Sequence, residues 1–271
     1  MHPLIFRAAL RLSRRTRFQA RLDDWVESAQ YLMGIGAGTS TASSGEQVLV
    51  RVLKERAAQI PLCIFDVGAN KGDFVRMLET ALQVPFRVFA FEPGAHTFTL
   101  LQAAVREFDN VTLENAGLGQ APGTATLYSD HAGSGLASLS KRRLDHFGID
   151  MAQTESVRLD SVDAYCARCG IERIDLLKLD VEGHELDVLQ GAVRMFQERR
   201  IRMVTFEFGG CNIDTRTFLQ DFWYFFSANG MRQMFRLTPA GALVPLPRYR
   251  ERDEQFRTTN FMVLMDGASL A

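Results

Sequence analysis

The stretch Phe65-Asp66-Val67-Gly68-Ala69-Asn70-Lys71-Gly72, followed about twenty positions later by Phe91-Glu92-Pro93, constrains the fold of this chain more than any other. Ile64 to Val67 is a largely apolar run that carries one acid and meets a glycine turn, as the carboxyl end of a buried parallel strand does. From Asp73 to Leu82 the apolar positions Phe74, Val75, Leu78 and Leu82 change to helical spacing. A second apolar run, Phe86–Phe91, ends in Glu92. The pattern predicts a β-loop-α-β unit with a glycine-rich first turn and an acid at the tip of its second strand. Such a unit holds an anionic or zwitterionic group against a helix N-terminus, while the acid accepts hydrogen bonds from ribose hydroxyls. A nucleoside cofactor is expected.

The glycine pattern narrows the choice. A dinucleotide fingerprint needs G-x-G-x-x-G, because a pyrophosphate approaches bare backbone. Here Asn70 stands where the second glycine would be, and Asp66 lies two residues before Gly68. A carboxylate and a carboxamide in the turn suit the ammonium and carboxylate of an amino acid better than a diphosphate. S-adenosylmethionine (SAM) has an amino-acid end and an adenosine end, and so fits both halves of the unit.

At 271 residues the chain can bury one α/β core with an appendage. No apolar run reaches the roughly 18–20 residues of a membrane span, and no signal-peptide core is visible. Four cysteines, Cys63, Cys166, Cys169 and Cys211, read as free thiols of a reducing, cytoplasmic setting. Cys166-x-x-Cys169 lacks a second pair or histidine ligands, so it reads as two thiols on neighbouring helical turns. The net charge of −1 hides an asymmetry: residues 1–22 hold six arginines and no acid, leaving −7 on the remainder. Arg7, Arg11, Arg14 and Arg15 recur at helical spacing opposite Ile5, Ala8, Ala9 and Leu12. Residues 1–33 therefore read as a basic amphipathic helix, suited to peripheral membrane or protein contact, to packing, or to a homo-oligomer. Nucleic-acid binding is not expected, because the body is acidic and one short arm makes a small footprint.

Two regions are expected: a basic helical arm with a Gly/Ser-rich hinge at 1–45, and a catalytic domain at 46–271. Ser44 is placed as the cap of a helix from about Glu46 to Ala58. Further helices are expected at Asp73–Leu82, Ala95–Glu107, Ser161–Ala167, Glu185–Phe196 and Phe218–Ala228. The last should bury Phe218, Phe222, Phe225 and Phe226. Strands are expected at Leu62–Val67, Arg87–Phe91, Val111–Asn115, Ile174–Asp180 and Met203–Phe208, with Arg232–Leu237 and Asn260–Met265 as a closing hairpin pair. An irregular insertion between Gly117 and Val157, with a β segment at Thr124–Tyr128, should cover a site.

Leu176-Leu177-Lys178-Leu179-Asp180-Val181-Glu182-Gly183-His184-Glu185 is the second informative stretch. A strand ending at Asp180 should direct it toward the same crevice as Asp66 and Glu92. Asp180 and Glu182 suit a divalent metal, a base for a hydroxyl, or a substrate contact, and His184 suits a general base. Glu182 and Glu185 also fit as ordinary helix N-terminal acids. Glu207 ends the next strand and Asn212 follows it, both as candidate acceptor-pocket residues. Neither an Asn/Asp-Pro-Pro-Tyr tetrapeptide nor a Pro-Cys nucleophile is present, which favours a hydroxyl or carboxyl acceptor.

Asp66-Val-Gly-Ala-Asn-x-Gly, Phe91-Glu92-Pro93, Leu-Lys178-Leu-Asp180-Val-Glu182-Gly183-x-Glu185 and Leu189-x-Gly191-Ala192, in this order, closely resemble the FkbM family of SAM-dependent methyltransferases. The resemblance covers roughly Glu46 to Met265, and Asn115-Ala116-Gly117-Leu118 joins it, with Gly117 where alanine is usual. It implies the class I methyltransferase fold: an α/β, Rossmann-like, seven-stranded and mostly parallel sheet with helices on both faces and an antiparallel last strand. It further implies that Asp66, Gly68, Asn70 and Gly72 hold the methionine end, Glu92 the ribose, and Asn115, Ala116, Gly117 and Leu118 the adenine. The expected activity is O-methylation of a small-molecule or glycan acceptor, a sugar or polyketide hydroxyl, with Asp180 and Glu182 or His184 removing the proton. No metal ligand set is assigned, although a Mg²⁺ shared by Asp180 and Glu182 stays open as a second cofactor. A regulatory cofactor-binding domain and an NAD(P)-dependent oxidoreductase are the alternatives.

Overall fold

Leu62–Val67 (β1) is buried along its whole length, because it has a neighbouring strand on each side and helices over both faces. The computed structural model describes residues 10, 13–38, 44–56 and 61–267. β1 pairs in parallel with β2 (Phe86–Phe91) on one side and β7 (Leu176–Leu179) on the other. Parallel strands β3 (Val111–Glu114) and β8 (Met203–Phe208) extend the two wings. Beyond β8 lies β11 (Thr259–Leu264), antiparallel to β8 and to β9 (Gln233–Leu237), and β10 (Leu243–Leu246) forms the edge.

The main sheet thus has eight strands rather than the expected seven, in the order β10-β9-β11-β8-β7-β1-β2-β3. The additional strand, β10, contains Pro245, which suppresses a strand reading but is tolerated at an edge. The expected hairpin of the final strands is corrected as well. β9 and β11 are antiparallel neighbours, but the local hairpin partner of β9 is β10.

Helices cover both faces. Ile64, Val88, Leu176 and Met262 pack with the helices Gln47–Glu55 (α2), Asp73–Ala81 (α3) and Ala95–Val105 (α4). Phe65, Val67, Leu179 and Phe206 pack on the opposite face, with Val162–Cys169 (α5), Glu185–Gln190 (α6), Val193–Gln197 (α7) and, after the short helix Cys211–Thr215 (α8), Leu219–Ala228 (α9). In α9, Phe222 and Phe226 are buried and Phe225 half-buried, but Phe218 lies just before the helix and is exposed. The predicted helix Glu185–Phe196 is two helices, broken at Gly191-Ala192. A Cβ at Gly191 would overlap the Gly119 carbonyl oxygen, so the chain passes too close there for a continuous helix of larger residues.

The Gly117–Val157 insertion builds a second sheet in the order β4-β6-β5, from Gly117–Leu118, Gln153–Asp160 and Gly123–Ser129. β6 is invisible to apolar alternation because its first four residues are exposed.

The helix Thr16–Leu32 (α1) buries no residue. It is tied to the body by Arg257, which reaches Glu27 Oε1 at 2.8 Å and Gln30 Oε1 at 2.7 Å. The Gly36 and Gly38 amides donate to the Thr258 carbonyl, at 2.9 and 3.3 Å. Arg7 and Arg11, the apolar positions expected opposite them, the hinge residues 39–43 and the predicted helix end at Ala58 lie outside the described residues. Among the described residues, no helix is long and apolar enough to cross a membrane.

Candidate functional site

The main chain makes one wall of the crevice. Gly68 (φ +80°) and Ala69 both donate their amides to the Phe91 carbonyl at 3.0 Å, binding the turn after β1 to the end of β2. A Cβ at Gly68 would overlap the Asp180 carbonyl oxygen, so glycine is required there. Asn70 is left-handed (φ +47°) and donates its amide to Glu92 Oε2 at 3.0 Å, while Glu92 Oε1 accepts from Gly94 at 3.0 Å. Burial pushes the Glu92 carboxyl up to about 7, against those two backbone bonds. Gly72 (φ +83°) opens α3.

Beneath this turn lies a buried ammonium. Lys178 is the register partner of Asp66 across β1 and β7, with Nζ 3.2 Å from Asp66 Oδ1 and 3.5 Å from Asp180 Oδ2. Asp66 is fully buried and Lys178 is 5 % exposed. Burial opposes the charge on Lys178, but Asp66, Asp180 and the Glu46 carboxylate outweigh it and keep the amine protonated. Glu46 is buried at the start of α2. Ser44 does not cap that helix; its hydroxyl donates to Glu46 Oε2 at 2.9 Å, holding this carboxylate in place.

Ionisable side chains make the opposite wall. Asp180 follows β7, with its amide bound to the Val67 carbonyl at 3.0 Å and its side chain 43 % exposed. Glu182 (φ +53°) meets Arg142 Nη1 at 2.5 Å, and its carbonyl accepts from Ser138 Oγ at 2.8 Å. Burial and then Asp180 push the Glu182 carboxyl up to about 8, while Arg142 opposes them. Glu207 is raised too, by burial and then by the Asp180 and Glu182 charges. Asp180, Glu182 and Glu207 each offer an oxygen within 4.8 Å of the others, a hard-donor set of the kind Mg²⁺ takes. His184 lies between Ser140 Oγ (3.0 Å from Nε2) and Asp187 Oδ2 (2.7 Å from Nδ1), which fix the ring's orientation.

The cavity between the walls has a volume of about 380 Å³, within the range of small-molecule sites. Val67, Gly68, Asn70, Glu92, Gly117, Leu118, Asp180, Glu182, His184 and Glu207 all line it. Asp66 and Gly72 support the turn from outside the lining. Asn115 and Ala116 also lie off it, and the Asn115 side chain donates to the Glu92 and Pro93 carbonyls at 2.9 and 3.0 Å. Asn212 is fully buried, accepting from the Gly209 amide and donating to Thr217 Oγ1, both at 2.8 Å. Glu185 Oε1 accepts from the Val181 and Gly183 amides at 3.1 Å and so shapes the loop. Sequence reasoning did not assign Glu46, Lys178, Ser138, Ser140, Arg142 or Asp187. Lys178 alone carried a signal, a charge inside an apolar strand.

A family model described as the methyltransferase FkbM domain matches residues 66–236. The hexuronic acid methyltransferase AglP of Haloferax volcanii is 32 % identical over 158 residues, 56 % of this chain and 59 % of that protein. The 2-O-methyltransferase NoeI of Sinorhizobium fredii is 25 % identical over 192 residues, 67 % of this chain and 74 % of that protein. The chain spans less than two-thirds of the first of these relatives. A crystal structure of methyltransferase FkbM from Methylobacillus flagellatus has a TM-score of 0.46 at 16 % identity, covering 89 % of this chain and 60 % of that one.

Proposed function

Because this chain belongs to the FkbM methyltransferase family, we propose that it is a SAM-dependent O-methyltransferase acting on a hydroxyl of a sugar, glycan or related secondary metabolite. One observation carries the reading: a glycine turn hydrogen-bonded to a strand-end acid faces a carboxylate-lined wall across one cavity. Bound there, SAM supplies a sulfonium methyl group for in-line attack by the acceptor hydroxyl. Glu92, held by two amides, keeps lone pairs free for ribose hydroxyls. Asp66 and Lys178 fix the turn around the methionine end, and Gly117 and Leu118 supply the wall for the adenine.

In this reading Asp180 orients the hydroxyl and takes its proton, which its position at the crevice end of β7 with a part-exposed side chain supports. Glu182 is held by Arg142, and His184 by Ser140 and Asp187, so both are anchored rather than free to swing. Positioning supplies most of the rate, because the methyl group is already electrophilic. The sugar-directed reading is supported by the names of the AglP and NoeI relatives.

Titration calorimetry with SAM and with NADP⁺ tests the cofactor, and SAM binding without NADP⁺ binding is expected. NADP⁺ binding alone would sink the reading in favour of an oxidoreductase. A second reading, in which Asp180, Glu182 and Glu207 hold a divalent cation beside the acceptor, rests on their 4.8 Å grouping. It requires methyl transfer to fall with EDTA and recover with Mg²⁺.

A further inference from the structure

A second cavity lies behind the wall that carries Arg142. The segment from Lys141 to His146 and the turn from Ile213 to Arg216 enclose a cleft of about 510 Å³. The first segment also carries Arg142, which lines the catalytic cavity, and the second begins two residues after Cys211, which lines it too, as does Gly210. Asp214 ties the segments together, accepting from the Arg143 amide at 3.2 Å and lying 3.6 Å from Arg142 Nε. Its charge is thereby committed to the wall. The side chains of Lys141, Arg143 and Arg216 have no hydrogen-bond or ion-pair partner among the described residues. Three free cations and His146 thus face one uncommitted acid, Asp145, in a concave site beside the catalytic cavity. This occurs on a body whose net charge beyond residue 22 is −7.

We propose that this cleft binds an anionic group of the methyl acceptor, a phosphate or a carboxylate carried by the sugar or by its attached group. The inference rests on the proposed methyltransferase reading for the identity of the acceptor. The chemistry fits: two guanidinium forks offer paired donors to a planar or tetrahedral oxyanion, and an ammonium adds a mobile point charge. An anion captured there is held by chain neighbours of Arg142, so the rest of the acceptor extends toward the catalytic cavity that Arg142 lines. The cleft also answers an electrostatic problem, since an anionic acceptor would otherwise be repelled by the carboxylate-lined cavity and the acidic body.

The test is titration calorimetry of the full chain with inorganic pyrophosphate, D-glucuronate and D-glucose, in wild type and in the double variant Arg143→Gln/Arg216→Asn. Asparagine suits the left-handed backbone of Arg216 (φ +60°). Lys141→Gln alone, at an exposed position, serves if the double variant fails to fold. At least one anion should bind wild type tenfold or more tighter than the variant and weaken as salt rises. Glucose should show no such contrast, and SAM affinity should stay within twofold. Preference for pyrophosphate assigns a phosphate-bearing acceptor; preference for glucuronate assigns a carboxylate-bearing one. Equal anion binding by wild type and variant overturns the proposal. Loss of SAM binding in wild type, with the anion contrast intact, would instead defeat the methyltransferase reading and leave the anion site standing.

Discussion

On the β1–β2 side of the crevice the main chain makes the shape; on the β7–β8 side charged side chains make it. Around Gly68 and Asn70, left-handed residues and amide bonds to the Phe91 carbonyl and the Glu92 carboxylate settle the turn. Across the gap, Asp180, Glu182 and Glu207 crowd together, with Lys178 below and Arg142 beside them. The first wall comes chiefly from one β-loop-α-β unit, the turn after β1 and the end of β2. The second draws on Glu46, Arg142, Lys178 and Glu207, and each of its charges depends on another for being there. Removing one member of such a network leaves another buried and unpaired, which costs more than losing a contact from the turn.

The largest effect should follow from Lys178→Met, which strands the buried Asp66 carboxylate. A loss of about 3–5 kcal/mol in urea unfolding is expected, partly recovered in Lys178→Met/Asp66→Asn. A cost below about 1 kcal/mol would break the contrast between the walls.

Next comes Asp180→Asn, which keeps shape and removes charge. It should lower kcat by roughly 10²-fold or more while leaving SAM affinity within a few-fold. Near-normal turnover would move the base to His184 or Glu207.

On the main-chain wall, Glu92→Ala should weaken SAM binding by about 1–3 kcal/mol through loss of a charged acceptor. Unchanged affinity in a folded variant would remove Glu92 from the ribose site.

The last effect is on pH. Glu92 and Glu185 at about 7 and Glu182 at about 8 all lie above their ordinary 4.5. Acids raised on folding contribute stability that is full below about 4.5 and lost as pH climbs through 7–8. The free protein should therefore be more stable at pH 6 than at pH 8.5. SAM affinity should move the other way, rising through pH 7 as Glu92 ionises into a better acceptor. Unfolding curves and calorimetry at the two pH values check both signs.

The contrast between the walls also explains what could be read in advance. Phe65 to Gly72 and Glu92 were legible because turn chemistry and strand ends are written in adjacent residues. Lys178 was visible but gained meaning only as the register partner of Asp66. Arg142 and Ser140 sit in an irregular segment between β5 and β6, where no periodicity marks a side chain as inward-facing. Asn212 carried the right chemistry for an acceptor contact, yet it is spent on bonds to Gly209 and Thr217.

The amino-acid sequence alone determined the β-loop-α-β unit and, through short motifs in order from Asp66 to Ala192, the kinship with FkbM methyltransferases and the helices over both faces that it implies, because each motif is written in neighbouring residues. The tertiary structure decided the eighth strand at a proline-bearing edge, the second small sheet, and above all the company each charged group keeps. Burial and electrostatic coupling belong to the folded chain: Glu46 and Lys178 are 132 positions apart in sequence, and only folding brings their charges into one network.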